Sequence, residues 1–293
     1  MAAVSAAWSW WPAPAKLNLF LHVVGRYQDG YHELQTLFQL IDLCDSIGLR
    51  VRQDGLIQRV AGPSDVPAEQ DLAIRAARAL QQHAGMSLGA DVQVRKSIPA
   101  GGGLGGGSSD AATVLLALNR LWGTGLPGDV LAQIGLRLGA DVPLFVGGAS
   151  AWGESRGERL QPMSLPARWF VIVHPGCAIS TAEIFQAPEL TRNSPLITIR
   201  AFAAGQTSNV CEPVARNRYP EVGAALDWLE AHIGASDARQ HARMTGTGAC
   251  VFASFERAED AERIAARVPD RWSSFVARGL DRSPLHAMLD VPR

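Results

Sequence analysis

Six of the seven residues from 101 to 107 are glycine, within the segment IPAGGGLGGGSSD that spans Ile98 to Asp110. Glycine loses more conformational freedom on folding than any other residue, so such a run indicates a place where the backbone must lie close to another group. The run follows an alternating segment, Ala90–Lys96, that predicts a strand, and it leads into an apolar segment, Ser108–Leu121, that predicts a helix. This order indicates that free amides at a helix N-terminus bind an anion such as phosphate.

The serines that end the glycine run are predicted to take part in this anion site. Ser108 or Ser109 is expected to cap the helix, and either hydroxyl is expected to face a phosphate or Mg²⁺. A plain flexible connector is the alternative for the run. We favour the anion site, because linkers rarely lead straight into a capped apolar helix.

The run also contains the spacing GxGxxG at Gly101, Gly103 and Gly106, which is a weak signal shared by unrelated families. A dinucleotide-binding fold requires a second strand that ends in an acid about twenty residues on, and a helical segment occupies that place. The HRD and DFG elements of protein kinases and the GK[ST] of a P-loop do not occur. Amides, hydroxyls and a metal ion are therefore expected to hold the phosphates.

The composition limits the classes of function. The formal net charge is -1, which argues against a general nucleic-acid or membrane-surface role. The four cysteines are widely spaced and form no CxxC pair, which is typical of reduced thiols in the cytoplasm. Met1 to Trp11 lacks the basic start and long apolar stretch of a signal peptide, and we expect it to form a short, frayed extension. The histidines show no zinc-type spacing, and the metal ligands stay unknown.

A length of 293 residues favours two domains, and we expect an α+β fold in two lobes. The Pro-containing stretch Gln161–Arg168 is the candidate boundary, which divides the chain into residues 1–162 and 163–293. Gly139 is expected to end a helix in the left-handed conformation. The other predicted strands are Lys16–Val24, Leu34–Leu43, Ile47–Arg52, Trp169–Val173, Cys250–Phe255 and Ser273–Ala277, and the other predicted helices are Asp71–Ala84, Asp129–Leu138, Tyr219–Ile233 and Ala258–Val268.

Only two of the 27 basic residues are lysine, namely Lys16 and Lys96. A chain that uses arginine almost everywhere is expected to keep lysine where a compact point charge is needed and a planar guanidinium does not fit. Genomic bias with two accidental survivors is the alternative. Lys16 lies in a predicted apolar strand and Lys96 immediately precedes the glycine run. An exposed residue at a strand end is an equally open interpretation of Lys96.

Three separated motifs resemble those of the GHMP small-molecule kinase superfamily. PAGGGLGGGSSDAA (Pro99–Ala112) is similar to its phosphate loop, PAKLNLFL (Pro14–Leu21) to its N-terminal strand, and TGTGACVF (Thr245–Phe252) to its C-terminal glycine motif. The resemblance implies a ribosomal-protein-like N-terminal lobe, a ferredoxin-like C-terminal lobe, and an active site between them. It also implies ATP and Mg²⁺. The implied ATP-binding residues are Lys96, Pro99, Ala100, Gly101, Gly102, Gly103, Leu104, Gly105, Gly106, Gly107, Ser108 and Ser109.

The resemblance also implies catalytic residues. Asp141, in GADVPLF, is expected to act as general base or orienter for the attacking hydroxyl, although such an Asp alone would more often be a turn residue. Lys16 is expected close to Asp141, where its charge would stabilise the carboxylate and the transferring phosphoryl group. Gly246, Thr247 and Gly248 are expected to pack beside the phosphate loop and close the site.

Two further motifs, GYHELQTLFQ (Gly30–Gln39) and the run from His174 to Leu190, resemble the branch of this superfamily that phosphorylates a hydroxyl of cytidine diphosphate-linked methylerythritol in isoprenoid synthesis. The expected substrate contacts are Tyr31 and Phe185 on the two faces of cytosine, His32 on its polar edge, and Asn18 and Thr181 on the methylerythritol end. Gln186 departs from the basic residue of the family pattern, which leaves charge recognition of the diphosphate there in doubt.

Three alternatives stay open at this point. The first is a kinase of the same superfamily for another small alcohol, such as mevalonate or homoserine. The second is a dinucleotide-binding oxidoreductase, and the third is a non-catalytic binding module. We expect a cytoplasmic monomer or homodimer that binds neither nucleic acid nor membrane.

Overall fold

The computed structural model describes residues 7–205, 208–233 and 241–291. Within these ranges the strands are β1 Ser9–Arg26, β2 His32–Arg52, β3 Ile57–Ala61, β4 Gly89–Arg95, β5 Ala151–Ser155, β6 Arg159–Pro162, β7 Trp169–His174, β8 Arg243–Met244, β9 Val251–Phe255 and β10 Ser273–Leu280. The helices are α1 Leu72–Ala84, α2 Gly106–Trp122, α3 Gly128–Leu136, α4 Val142–Gly147, α5 Thr181–Gln186, α6 Ile199–Ala203, α7 Glu212–Arg218, α8 Pro220–Ile233, α9 Ala258–Ala265 and α10 Pro284–Leu289. The α+β class is confirmed.

The two strands predicted at 34–43 and 47–52 are one strand, β2, which continues through Cys44, Asp45 and Ser46. The prediction of two separate strands is therefore wrong. Asp45 is buried, and its carboxylate accepts hydrogen bonds from the backbone N–H groups of Ser97 and Ile98. Because these partners come from elsewhere in the chain, the strand accommodates a buried acid without ending.

The strand β1 begins at Ser9, seven residues before the predicted start, and pairs with β2 from Ser9 opposite Leu49. Pro12 and Pro14 lie inside it, which an edge strand tolerates because proline cannot donate a ladder hydrogen bond. Trp11 is buried in the core. The prediction of a frayed extension is therefore wrong for residues 9–11, and residues 1–6 lie outside the described residues.

One hydrogen-bonded path links both halves of the chain, in the strand order β3-β4-β2-β10-β7-β9-β8. The long strand β2 is the hub, because β1 pairs along most of its length, β5 with its first half and β4 with its second. The C-terminal strand β10 returns to pair with β2 at Leu40 and Ile41 while it also pairs with β7. The glycine loop bonds Lys16 of β1 and also Ala249 and Cys250 immediately before β9, so it bridges two separated parts of the sheet.

The longer helices agree with their sequence signals. Asp71 caps α1 by accepting a hydrogen bond from the N–H of Ala73, and Gly85 ends it in the left-handed conformation. Helices α2, α3, α8 and α9 lie where they were predicted, within a few residues. The role predicted for Gly139 is wrong, because α3 ends at Leu136 and its C-cap is Arg137 in the right-handed region.

The buried apolar residues of the described chain form four clusters, two of them large. The first joins α1, α2, α3 and α4 to the N-terminal strands, and it includes Leu285 of α10. The second joins α8 and α9 to β7 and β9. The third contains Leu17, Leu104 and Phe252, from β1, the glycine loop and β9. The loop is therefore anchored in the core by Leu104, which packs with residues of β1 and β9.

The boundary predicted at 161–168 falls between β6, which ends at Pro162, and β7, which begins at Trp169. The division into residues 1–162 and 163–293 stays a prediction. Within the residues that the structure describes, no helix has the length and apolar character needed to cross a membrane.

Candidate active site

A cavity of about 970 Å³ lies along the glycine loop. Its volume is at the upper end of the range typical of small-molecule sites. The lining residues come from β1, β2, the segment 62–72, the glycine loop, Asp141, Arg156, α5 and the 246–247 turn. The cavity is therefore long enough to bring together residues from both halves of the chain.

The helix α2 begins at Gly106, two residues before the predicted start, and its N-cap is Gly105 with φ +73°. No side chain caps it, so the prediction that Ser108 or Ser109 does so is wrong. Ser108 lines the cavity, whereas Ser109 is fully buried. The free amides of the first turn and the Ser108 hydroxyl therefore border the same space, which suits an anion.

The glycine loop is fixed by main-chain contacts on both sides. Leu104, its only residue with a side chain, is buried, and its carbonyl accepts a hydrogen bond from the N–H of Lys16 at 3.0 Å. Across the loop, the N–H of Ala249 donates to the carbonyl of Gly101 at 3.0 Å. These bonds tie the loop to β1 on one side and to the residues before β9 on the other.

Some glycines of the loop are required because the loop backbone packs closely against other parts of the protein. Gly103 has φ +72°, and a Cβ there would lie 2.2 Å from the carbonyl oxygen of Thr245. A Cβ on Gly102 would lie 2.6 Å from Sγ of Cys250. Gly246 and Thr247 line the cavity, and Gly248 lies behind them against Gly103. The structure thus brings the third motif beside the phosphate loop.

Lys16 and Asp141 face each other in the cavity, with Nζ of Lys16 and Oδ2 of Asp141 3.5 Å apart. Lys16 is 4% exposed and donates to the carbonyl of Gly103 at 2.9 Å, whereas Asp141 is 31% exposed. Asp141 precedes the short helix α4, in a helical backbone conformation. The lysine is thus held in place by the protein, and the carboxylate is accessible from the cavity.

Asn18 lies two residues from Lys16 on the same face of β1, as predicted. Its Oδ1 accepts a hydrogen bond from Lys16 Nζ at 2.5 Å, and its Nδ2 donates to Thr36 at 2.9 Å. Its backbone N–H donates to the hydroxyl of Thr245 at 2.9 Å. Asn18 lines the cavity while it orients Lys16, and its contact with a substrate stays a prediction.

Lys96 lies at the other side of the loop and forms what we call the root cluster, with Asp45 and Asp110. Its Nζ lies 2.8 Å from Oδ2 of Asp110 and also bonds the carboxylate of Asp45. The same Nζ is close to the loop, since a Cβ placed on Gly106 would lie 3.2 Å from it. The side chain of Lys96 is 28% exposed and lines the cavity, and the residue directly follows the end of β4, so its position fits both interpretations. Its binding of nucleotide stays a prediction.

Burial shifts the ionisation of the root cluster. Desolvation raises the pKa of Asp110 to about 7, against the attraction of Lys96 and with the help of the neighbouring Asp45 charge. Burial opposes the charge on Lys96, but the two carboxylates outweigh this effect and raise its pKa. Two acids that share one lysine thus compete for its charge.

The residues predicted to bind a base lie near the far end of the cavity. Phe185 lines it, and the ring of His32 stacks on Phe185 with a centroid separation of 5.1 Å. Tyr31 is 61% exposed and lies under the guanidinium of Arg156, 4.4 Å from its ring centroid. The three aromatic residues are therefore neighbours, although Tyr31 and His32 lie outside the cavity wall in this structure.

Thr181 begins α5 and lines the cavity, and its hydroxyl lies 3.0 Å from that of Thr247. Gln186, the position that departs from the family pattern, is exposed at the end of the same helix. Arg156 and the segment 62–66 also line the cavity, and neither was predicted. No local signal distinguishes Arg156 from the other arginines of the chain.

The expected Mg²⁺ is consistent with the donors that line the cavity. Among the described residues, no group of three or more His, Cys, Asp or Glu side chains is arranged to hold a metal ion. Mg²⁺ usually binds through one or two carboxylates together with substrate phosphates, so a dedicated cage is not required. Ser108 and Asp141 both line the cavity, and a hydroxyl and a carboxylate are oxygen donors of the kind that Mg²⁺ binds.

Two family models match the chain on either side of the predicted boundary. The GHMP kinases N terminal domain matches residues 71–149, and the GHMP kinases C terminal domain matches residues 189–274. The first match contains the glycine loop and Asp141, and the second contains the 245–248 turn.

Curated relatives cover nearly the whole chain. The 4-diphosphocytidyl-2-C-methyl-D-erythritol kinase of Halorhodospira halophila is 56% identical over 96% of this chain and 96% of its own. That of Alkalilimnicola ehrlichii is 57% identical over 94% of this chain and 92% of its own.

Solved structures agree with these matches. A crystal structure of 4-(cytidine 5'-diphospho)-2C-methyl-D-erythritol kinase has a TM-score of 0.79 and 33% identity, and it covers 92% of this chain and 99% of its own. A homoserine kinase from Cytophaga hutchinsonii has a TM-score of 0.68 at 16% identity over 97% of both chains, which shows the shared fold alone. The chain therefore belongs to the GHMP kinases and, within them, to the 4-diphosphocytidyl-2-C-methyl-D-erythritol kinase family.

Proposed function

We propose that this ATP-dependent kinase transfers the γ-phosphoryl group of ATP to the 2-hydroxyl of 4-diphosphocytidyl-2-C-methyl-D-erythritol, with the residues of the Lys16–Asp141 pair as its catalytic groups. The observation that carries the proposal is the position of this pair, 3.5 Å apart in the cavity that also contains the start of α2. The choice of substrate is supported by the names of the relatives that cover nearly the whole chain.

In this reaction the substrate hydroxyl oxygen bonds to the γ-phosphorus while the bond from that phosphorus to the β,γ-bridging oxygen breaks and ADP leaves. The Asp141 carboxylate accepts the hydroxyl proton or orients the hydroxyl for in-line attack. Its exposure to the cavity allows a hydroxyl to approach it, since the one contact of the carboxylate among the described residues is the 3.5 Å approach of Lys16 Nζ.

Lys16 supplies positive charge beside the reacting groups. It is almost completely buried, and the Gly103 carbonyl and Asn18 hold its Nζ at a fixed position. A fixed charge in a site of low polarity stabilises the transferring phosphoryl group without a cost of reorganisation during the reaction.

The loop amides and the first turn of α2 hold the ATP phosphates. The positive end of α2 lies at Gly106, the loop residues line the cavity, and backbone hydrogen bonds to Lys16 and Ala249 hold the loop in place. When Mg²⁺ is bound, Ser108 and Asp141 are the residues suited to hold it, and it neutralises phosphate charge. Orientation of hydroxyl and phosphate alone can supply about 7–11 kcal/mol of the barrier.

The cytidine end of the substrate lies beyond Thr181, near Phe185. Stacking of a base on an aromatic ring contributes about 1–3 kcal/mol, which is enough to favour a nucleotide-linked alcohol over a bare one. Phe185 lines the cavity, and exposed Tyr31 can approach the opposite face of a base that lies there.

We also assign the reaction to the cytoplasm, where ATP is made and thiols stay reduced. Cys44, Cys177, Cys211 and Cys250 are all free, which supports a reducing compartment.

The test is a coupled assay of ADP release with Mg²⁺ and ATP. The cytidyl substrate, mevalonate and homoserine are compared at matched concentrations with the wild-type protein. We expect kcat/KM for the cytidyl substrate to exceed the other two values at least 10³-fold, because only that substrate reaches both Asp141 and Phe185. A higher value for mevalonate or homoserine would assign the protein to another alcohol.

A further inference from the structure

Arg192 follows α5 in the chain and is held there by four hydrogen bonds. Its Nη1 donates to the carbonyl of Leu190 at 3.0 Å, and its Nη2 donates to the carbonyls of Phe185 and Ala187 at 2.9 and 2.7 Å. Its Nε donates to Nε2 of His32 at 3.1 Å. The guanidinium is planar, so the three carbonyls fix the direction in which Nε–H points.

This contact determines which nitrogen of His32 carries a proton. Arginine has no acceptor and stays protonated in proteins, so its Nε can only donate. Nε2 of His32 must therefore present its lone pair to Arg192. A neutral imidazole with a free Nε2 carries its proton on Nδ1. The ring that stacks on Phe185 thus has one defined donor, the Nδ1–H group.

The surroundings of His32 also favour the neutral ring. Partial burial lowers the pKa of His32, and the positive charges of Arg192 and Arg26 lower it further. Ring stacking on Phe185 limits rotation of the imidazole, since the two planes lie 26° apart. The contact with Arg192 and this stacking define both the tautomer and the plane of the ring.

We infer that Arg192 is a positioning residue that fixes His32 as the Nδ1–H tautomer, and that this donor selects a cytosine over a uracil base. The inference rests on the proposed function, in which the base lies near Phe185, and on the contact of His32 with its polar edge that the sequence predicts. Cytosine presents an unprotonated N3, which can receive a hydrogen bond from Nδ1–H. Uracil carries a proton on N3, so the same approach would place two donors against each other.

The first test measures the tautomer directly, in the protein without substrate. Nitrogen-15 NMR of histidine-labelled wild-type protein, with His32→Gln to assign the signal, reports which ring nitrogen is protonated. We expect protonated Nδ1 and unprotonated Nε2 in the wild type, and a mixture of tautomers in Arg192→Met. A wild-type His32 protonated on Nε2 would overturn the inference without any measurement of activity.

The second test measures base selection. The cytidyl substrate is compared with its uridyl analogue in the ADP-release assay for wild type, Arg192→Met and Arg192→Lys. We expect wild type to favour the cytidyl compound by about 100-fold in kcat/KM, because a mismatched base leaves polar groups unpaired. In Arg192→Met we expect about a tenfold rise in KM for the cytidyl substrate, a kcat within about twofold of wild type, and loss of most base preference.

The Lys variant separates geometry from charge. A lysine keeps the positive charge but cannot bond three carbonyls and the His32 ring at once, so Arg192→Lys should resemble Arg192→Met. Wild-type preference in Arg192→Lys would show that charge alone is sufficient and would overturn the role of the fixed tautomer.

The matched control is Arg218→Met. Arg218 pairs with Glu183 and Glu189 in the same region and makes no contact with His32 among the contacts of the described residues. We expect Arg218→Met to keep the wild-type preference for the cytidyl over the uridyl compound. If its preference fell as far as that of Arg192→Met, the effect would come from general loosening around α5. Failure of the wild type to phosphorylate the cytidyl substrate would reject the proposed function, whereas turnover without base preference would reject this inference alone.

Discussion

The two lysines of the chain lie on opposite sides of the same glycine loop, and they have different surroundings. Lys16 bonds the carbonyl of Gly103 and pairs with one carboxylate, Asp141, which opens to the cavity. Lys96 lies beside Gly106 and pairs with two buried carboxylates of the root cluster. Both positions use lysine in a chain that otherwise uses arginine. They differ in their partner acids, because Asp141 is partly exposed whereas Asp45 and Asp110 are buried.

This comparison indicates how one ion-pair chemistry serves two purposes. A lysine with one accessible acid has charge available for an incoming phosphate, and its partner can receive a proton. A lysine between two buried acids already has its charge balanced. Its bonds then fix Asp45, which in turn holds the N–H groups of Ser97 and Ile98 at the start of the loop. We therefore expect substitutions in the Lys16–Asp141 pair to reduce turnover and substitutions in the root cluster to reduce stability.

The largest effect is expected for Asp141→Asn. The amide cannot accept the hydroxyl proton, so kcat should fall about 10⁴-fold in the ADP-release assay. The free energy of unfolding in urea should change by less than about 1 kcal/mol, because Asp141 is partly exposed and its ion pair is long. Asp129→Asn, on the exposed start of α3, is the control. Near-normal turnover in Asp141→Asn would remove this residue from the chemistry.

Lys16→Met should lower kcat about 10³-fold, because it removes a fixed positive charge from the site of phosphoryl transfer. Lys16→Arg tests why lysine is used here. The space between Gly103, Asn18 and Gly105 is close-packed around a single Nζ, so the larger planar group should fail to restore the rate. Full activity of Lys16→Arg would show that charge alone matters.

Asp45→Ala should act on the fold. It leaves Lys96 without one partner and two backbone N–H groups without their acceptor, so the free energy of unfolding should fall by about 3 kcal/mol. Asp54→Ala, which removes an exposed pair with Arg52 and one exposed hydrogen bond from the N–H of Leu56, should cost no more than about 1 kcal/mol. Urea unfolding of both variants checks this, and equal losses would contradict an anchoring role for the root cluster.

The smallest effect is a dependence on pH. Because burial raises the pKa of Asp110 to about 7, the folded protein retains a proton that the unfolded chain releases near pH 4. Stability from this group is therefore present at low pH and lost as the pH rises from about 4 to 7. Between pH 5 and pH 8 this group should lower the free energy of unfolding of the wild type by roughly 2 kcal/mol. In Asp110→Asn this loss should be absent. An unchanged loss in this variant would show that Asp110 is ionised throughout.

Several features of the molecule followed from local sequence alone. The glycine run, its position between a strand and a helix, and the motifs around Lys16, Asp141 and Thr245 led to the kinase family that the relatives confirm. Helix α1 was predicted correctly because its cap at Asp71, its apolar spacing and its terminal Gly85 are all local signals.

Other features could not be read from neighbouring residues. The run Cys44–Ser46 resembles a break, yet it continues β2 because Lys96 and two backbone amides, about fifty residues away, satisfy Asp45. The helix start at Gly106, rather than at the serines, follows from the way that Leu104 packs between β1 and β9. Short helices such as α4 and α5 are too brief to show a periodic pattern.

The sequence by itself determined the chemistry that is available: a glycine loop that frees its amides, two lysines, and the acids of recognisable motifs. Tertiary structure decided which acid faces the cavity, which acids are buried beside Lys96, and which nitrogen of His32 receives the Arg192 hydrogen bond. The physical reason is that periodicity and caps depend on residues a few positions apart. Burial and ion pairing depend instead on residues brought together from distant parts of the chain, and these set the charge state of each group.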